Sequence, residues 1–358
     1  MILAPKWIVF QLNEICNLRC FMCYQWGDKG IYLEKKPSSL SYLPEDLIVK
    51  VIDECLAFEP YIGLFGGEPL LYKNIWRIIK KVKDHKGEIY IDTNGTTLSR
   101  NALNLVESRT DRIWVSLDGP QILNDKQRGN GVFQKVILGI DKLYDLRSKN
   151  GSTKPEIGIT FIVTPVNFEG IEQLFCHDLD LTKIDNISIE FQNFLLFQEW
   201  RDYDELLIEH FDKHEGATHA RGLIKEIEEF SKIDHQLVNK QILAVKSKCN
   251  AFGVNLLTAP RDYSSANIKN YFKGDWDKIS NRKTSCSLPW KYAEISAKGD
   301  VTLCHTFYDN SIGNIKERSF MEIWNGDSAT RVRSYLKKQL YSICTGCSRY
   351  HTSQSLRK

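Results

Sequence analysis

Six short apolar runs separated by helix-forming stretches leave this chain very few folds. The runs lie near Trp7 to Leu12, Tyr61 to Phe65, Glu88 to Thr93, Arg112 to Leu117, Glu156 to Val163 and Asn186 to Phe191, each of strand length and bounded by turn formers or helical stretches. Between them, apolar residues recur at helical spacing over Asn74 to Asp84, Ser99 to Glu107, Val132 to Arg147 and Phe168 to Cys176. Pro44-Glu45-Asp46 opens a further helix with acidic residues in its first turn. Repeated strand-helix units require parallel strands joined by right-handed crossovers. Six of them predict an α/β fold, a partial (β/α)6 TIM-like barrel whose active face lies at the C-terminal strand ends. A chain of 358 residues with 42% apolar composition is long enough for that barrel and a smaller domain.

The pattern divides the remainder. Residues 1–193 hold the strand-helix alternation. Residues 194–284 become helical and charged, with helices expected over Tyr203 to His214, Arg221 to Phe230 and His235 to Val245. Residues 285–358 begin with Tyr292 to Ser296, Lys298-Gly299-Asp300 and Val301 to Cys304, a β-hairpin turning on Gly299. Helices around Phe320 to Trp324 and from Ala329 to Leu340 follow. The expected C-terminal unit is a small β-hairpin-plus-helix domain.

Composition excludes several classes. The 48 basic and 45 acidic residues leave a formal charge of +3, too balanced to imply nucleic acid or a membrane surface as a partner. The first dozen residues do not resemble a signal peptide and no apolar run approaches membrane-spanning length, so the expected location is cytoplasmic. Ten cysteines without a signal are then expected to be reduced and available to metal. Seven cluster at the two ends: Cys16, Cys20 and Cys23 near the start, Cys286, Cys304, Cys344 and Cys347 in the last fifth.

Cys16-x3-Cys20-x2-Cys23 follows directly on the first apolar run. Three thiolates on a short loop can hold a four-iron cube and leave one iron open to a non-protein ligand. A zinc site would need a fourth ligand, and the nearest histidine in sequence is His85. Three unrelated core cysteines are the bland alternative, since the thiol packs as a small hydrophobe.

This triad, placed after a first strand, resembles the signature of the radical SAM superfamily, and further segments resemble it in the expected order over about two hundred residues. Gly66-Gly67-Glu68-Pro69 resembles the motif whose backbone and acidic side chain receive the amino group of S-adenosylmethionine; glycines permit close backbone approach, and a carboxylate suits an ammonium. Asn94 in Asp92-Thr93-Asn94-Gly95, and Ser116 and Asp118 in Ser116-Leu117-Asp118-Gly119, resemble segments that line the nucleoside and methionine. Arg128 is expected to pair with the methionyl carboxylate. In this family one electron from the reduced cluster cleaves S-adenosylmethionine, and the 5′-deoxyadenosyl radical takes a hydrogen atom from an unactivated C–H bond, the protein positioning the cofactor.

The C-terminal cysteines resemble the SPASM/twitch extension. Cys286, Gly299 and Cys304 match its opening spacing, Ile312-Gly313-Asn314-Ile315 and Glu322-Ile323-Trp324 its middle. The full pattern continues with further cysteines, whereas Ser348-Arg349-Tyr350-His351 follows here. The resemblance therefore implies one auxiliary [4Fe-4S] cluster on Cys286, Cys304, Cys344 and Cys347, with structural zinc as the alternative. It implies a reductant such as flavodoxin or ferredoxin. A peptide or protein side chain or α-carbon is the first expectation for the substrate (maturase, epimerase or dehydrogenase chemistry), a small carbohydrate or aminosugar-like metabolite the second. A non-catalytic electron carrier or zinc protein is the non-enzymatic alternative. Cys249 is a candidate hydrogen-atom donor; Glu190, Gln192 and Gln198 are placed near the cavity mouth by position, and His305 stands beside a candidate ligand.

Overall fold

A computed structural model describes residues 4–280 and 285–350; His351 lies outside them. The six expected strands form: β1 (Trp7–Gln11), β2 (Tyr61–Phe65), β3 (Ile89–Thr93), β4 (Arg112–Ser116), β5 (Glu156–Val163) and β6 (Asn186–Phe191). They pair in parallel and in chain order. Helices α1 (Glu45–Cys55), α2 (Ile75–Asp84), α3 (Leu98–Glu107), α4 (Gln121–Arg128) and α5 (Val132–Lys149) make the first four crossovers; in the fifth, the helix expected over Phe168 to Cys176 is a run of short helical turns, Phe168–Gly170, Ile171–Gln173 and Leu174–Asp178. In α2 the buried residues are Ile75, Ile78, Ile79 and Val82, a single stripe set by the 3.6-residue repeat. Fully burying each such side chain stabilises the fold by about 1.5–3 kcal/mol.

The architecture differs from the expectation in two places. The bridge is not wholly helical: Asn255–Ala259 forms β7, parallel to β6. The C-terminal hairpin is joined to the barrel. Its first strand, β8 (Tyr292–Ile295), pairs in parallel with β1, while β9 (Asp300–Thr302) and β10 (Gly313–Asn314) continue antiparallel. One open sheet results, ordered β10-β9-β8-β1-β2-β3-β4-β5-β6-β7. Neither addition has a strong signal in isolation. The run Asn255-Leu-Leu-Thr-Ala259 is short and abuts a helix, and strand partners separated by most of the chain leave no mark in local sequence. The bridge helices are observed at Phe197–Phe211, His235–Phe252 and Ser265–Phe272, with only a 3-10 turn and one short helix between Ala220 and Phe230.

Alternation of side chains gives the sheet two faces. The outward face, with Ile8, Phe10, Ile62, Leu64, Ile89 and Ile91, packs against the helices in the main core. The inward face carries a separate aromatic group, Trp7, Tyr61, Tyr90, Trp114 and Tyr292, in which the Trp7 indole donates to the Tyr90 hydroxyl at 2.9 Å. Trp7 and Tyr292 are register partners, and these rings fill the end of the lumen where β1 and β8 begin. Continuing two residues along each strand, the same face presents Asp92, Ser116, Glu294 and, four beyond Trp7, Gln11. The lumen is therefore aromatic below and polar above, where the loops emerge.

Candidate functional site

The loop following β1 carries the cysteine triad, and backbone pairing with the next strand's loop fixes it. The Gly67 N–H donates to the Asn13 carbonyl and the Glu68 N–H to that of Ile15, each at 2.8 Å. A Cβ at Gly67 would lie 2.1 Å from the Ile15 carbonyl oxygen, and one at Gly66 2.7 Å from that of Asn13. Two glycines are thus required to bring the β2 turn against the chain entering Cys16. Gly67→Ala is expected to push the triad loop off its seat, lowering iron retention several-fold on reconstitution while leaving the far-ultraviolet circular dichroism unchanged.

Glu68 is wholly buried. Its Oε1 accepts from the Thr93 hydroxyl at 2.6 Å and the Leu70 N–H at 3.0 Å, its Oε2 from the Asn94 N–H at 2.8 Å. The expectation gave this carboxylate to a ligand ammonium; within the protein its oxygens tie the end of β2 to the end of β3. Burial pushes its pKa up and these three donors oppose that. Pro69 is buried and opens the 3-10 turn that follows.

Asn94 reaches back to the triad. Its Nδ2 donates to Asn17 Oδ1 at 2.9 Å and lies 3.9 Å from the Cys16 sulfur. The Leu18 N–H donates to Cys16 Sγ, and the Trp26 N–H to Cys23 Sγ, both at 3.4 Å. From the other side comes Arg128, at the end of α4, whose Nη1 stands 3.8 Å from Cys20 Sγ. Its Nε pairs with Asp118 Oδ2 at 2.6 Å, with both side chains buried. Asp118 also accepts from Gln127 Nε2 and the Ile162 N–H. Asp118 and Arg128 were expected to contact ligand; within the protein they pair with each other, with Arg128 Nη1 turned toward the cysteine loop. Ser116 stays half-buried on the lumenal face.

Burial raises the thiol pKa of Cys16 to about 12 and also lifts that of Cys20, which the Arg128 charge pulls back. Such thiols ionise only when something positive replaces their proton. All ten cysteines are unbonded to one another. Among the described residues no three His, Cys, Asp or Glu side chains converge on a point where a single metal ion would sit. Cys286, Cys304, Cys344 and Cys347 instead ring a cavity of about 70 Å³. His305, Arg349 and Trp7 share its wall, so this cavity abuts the aromatic end of the lumen. Four thiols around one void suit a group larger than an ion.

Cys249 stands elsewhere. It is fully buried on the His235–Phe252 helix within the outer core, with Cys176 as its charged-state neighbour. The sheet separates it from the lumen, because helix patterning in the bridge turned this residue toward the barrel's outer layer. Of the residues placed by position, Glu190 does face the lumen and pairs with Arg349 at 3.3 Å, Gln192 is buried, and Gln198 is exposed.

A second cavity, of about 440 Å³, opens where β1 and β8 end; Gln11, Glu14, Gln25, His219, Tyr308 and Asp309 are among its walls. Sequence reasoning overlooked Glu294, Tyr308 and Tyr24, which connect this cavity to the lumen. One signal was available: in Tyr292-Ala-Glu294-Ile the period-two face that carries a tyrosine next carries a carboxylate.

Residues 10–175 match the model of the Radical SAM superfamily, and residues 286–348 that of SPASM, an iron-sulfur cluster-binding domain. The tungsten-containing aldehyde ferredoxin oxidoreductase cofactor-modifying protein of Pyrococcus furiosus is 24% identical, over 96% of this chain and 87% of that protein. Among solved structures, Streptococcus suis SuiB bound to precursor peptide SuiA superposes with a TM-score of 0.63 at 16% identity, over 98% of this chain and 71% of that one. The protein anSMEcpe with bound AdoMet and Cp18Cys peptide gives 0.59 at 16% identity, over 97% and 87%. No helix among the described residues is long and apolar enough to cross a membrane.

Proposed function

This chain is a radical SAM superfamily enzyme that ends in a SPASM iron-sulfur domain, and from that premise we propose that it takes a hydrogen atom from a C–H bond of a peptide or protein held in the barrel lumen. S-adenosylmethionine, bound at a reduced iron-sulfur cluster, supplies one-electron chemistry able to break an unactivated C–H bond. Cys16, Cys20 and Cys23 are the residues that would hold this cluster. Gly66 and Gly67 seat their loop, Asn94 and Arg128 abut two of the sulfurs, and Ser116 offers a hydroxyl from the lumenal face. Cys286, Cys304, Cys344 and Cys347 would hold the auxiliary cluster. Because four protein thiolates complete a cube, this second group is read as an electron carrier that leaves the substrate to the lumen.

The observation that carries the reading is that the two cysteine sets lie at opposite ends of β1, the triad on the loop beyond its last residue and the four-thiol cavity against Trp7 at its start. Tyr24, next to Cys23, stacks on Tyr308, four residues beyond Cys304, with ring centroids 6.2 Å apart, while the C-terminal cavity shares Trp7 with the lumen floor. A lumen between two redox groups would limit the access of water and oxygen to a reactive centre.

A peptide is supported by the cavity outside the lumen, whose acidic, basic and amide walls suit backbone and mixed side chains, and by the peptide complexes of SuiB and anSMEcpe. A small cofactor-like metabolite is the second reading, favoured by near full-length similarity to a cofactor-modifying protein. The test uses protein reconstituted with iron and sulfide without oxygen. About eight irons per chain are expected, against about four plus one zinc if the C-terminal thiols hold zinc. Dithionite-reduced protein is expected to release methionine and 5′-deoxyadenosine from S-adenosylmethionine; neither product, in a protein with full iron, would overturn the enzymatic reading.

A further inference from the structure

The lumen holds a titratable group with no part in seating either cysteine set. Glu294, on the inner face of β8, is 2% exposed. Two tyrosines from different elements converge on it: the Tyr292 hydroxyl donates to Oε2, the Tyr308 hydroxyl to Oε1. Tyr308 in turn shares a hydrogen bond with the Tyr24 hydroxyl, which accepts from Gln25 Nε2 at 3.0 Å. Tyr308 and Gln25 both line the 440 Å³ cavity. A carboxyl inside the barrel is thus the inner end of a chain of hydroxyls whose outer end meets the cavity.

The surroundings keep that carboxyl near its switching point. Burial pushes its pKa up to about 8; hydrogen bonds from Tyr292 and Tyr308 oppose the rise, the Asp92 charge on β3 adds to it, and Arg349 from the C-terminal loop opposes it. Tyr24 also feels its charge, Tyr90 and the His305 ring lie beyond Tyr292, and Glu190 shares Arg349 with it. An apolar side chain would fill the same place without the desolvation that a carboxyl suffers. A carboxyl that changes protonation near neutral pH, held by a hydroxyl path to a wet cavity, is suited to pass protons.

We propose that Glu294 exchanges protons with the molecule bound in the lumen and that the Tyr308 hydroxyl relays them to the outer cavity. The inference rests on the lumen being the reaction chamber, and it assigns that chamber a substrate bearing an O–H or N–H beside the reacting carbon. The carboxylate takes the proton of that O–H or N–H. The resulting acid gives its proton to the Tyr308 oxygen as the Tyr308 proton passes to cavity water. Carboxylate and phenol are both restored; one proton has moved and no electron has.

Infrared spectroscopy of the full chain without clusters tests this separately from S-adenosylmethionine cleavage. The protonated carboxyl C=O band is expected to vanish with a midpoint near pH 8, to be missing from E294Q, and to persist in E294D with a shifted midpoint. After an upward pH jump, Y308F is expected to lose the band about tenfold more slowly than wild type. Circular dichroism melts establish that each variant is folded. A titrating band that survives in folded E294Q would overturn the assignment, and a Y308F decay at the wild-type rate would reduce Tyr308 to a packing role and overturn the relay. If these results hold while the loaded wild type cleaves no S-adenosylmethionine, the radical reading fails and the proton path stands.

Discussion

Cys20→Ala is expected to abolish release of methionine from S-adenosylmethionine and to lower the iron content of reconstituted protein from about eight to about four atoms per chain. Cys20 is the middle ligand of the proposed three, 9% exposed, with the Arg128 guanidinium beside its sulfur. Two thiolates cannot hold a cube by three corners, and no fourth cysteine lies in this loop to take its place. The C-terminal cysteines are fixed by other elements and should load unchanged, so the loss is half the iron. Cys249→Ala is the control, since its thiol is packed in the outer core and both iron and cleavage should stay at wild-type levels. Iron assay and electron paramagnetic resonance of the reduced protein separate the two clusters. Full iron and full cleavage in Cys20→Ala would sink the assignment of the triad.

Arg128→Met carries the largest expected effect on stability, a loss of about 3–5 kcal/mol. Asp118 is fully buried, and its carboxylate has the guanidinium of Arg128 as its charged partner 2.6 Å away. Methionine keeps much of the volume but leaves a buried negative charge with only the Gln127 amide and Ile162 N–H as donors. The cost comes from that orphaned charge, so it should be recoverable. Adding Asp118→Asn, which removes the charge while keeping an acceptor, is expected to restore a good part of the lost stability. Urea unfolding of the two single variants and the double variant measures this. An Arg128→Met loss below about 1 kcal/mol would mean that Asp118 is held neutral or hydrated.

Both predictions concern residues named from the sequence, but the second concerns a role the sequence did not give. Period and spacing placed β1 to β6 within a residue of their observed bounds, because buried parallel strands are written as apolar runs between helices. The cysteines were legible because thiol spacing is chemistry. The protein contacts of Glu68, Asp118 and Arg128 were not, since motif resemblance names positions and cannot say which neighbours a side chain also holds. All three hold the site from behind: one ties two strand ends together, the others form a buried pair against the cysteine loop. Glu294 went unnoticed for a related reason. The shared face of Tyr292 and Glu294 is legible in the period of two, but nothing local says that β8 pairs with β1 and turns that face into the lumen.

That distant pairing has a bearing on how the molecule is made. The Ala297 N–H donates to the Gln11 side chain across 286 positions of sequence, and β8 lies directly against β1. While the protein is being synthesised, β1 has its β2 neighbour early, but its other edge stays bare until the last fifth of the chain has left the ribosome. An open hydrophobic edge held that long invites pairing with other chains, and contacts so remote in sequence form slowly. Sheet completion is also what carries the last four-cysteine pocket up to the lumen floor. Release of a nascent chain from the risk of aggregation and maturation of its second cofactor site are then the same late event.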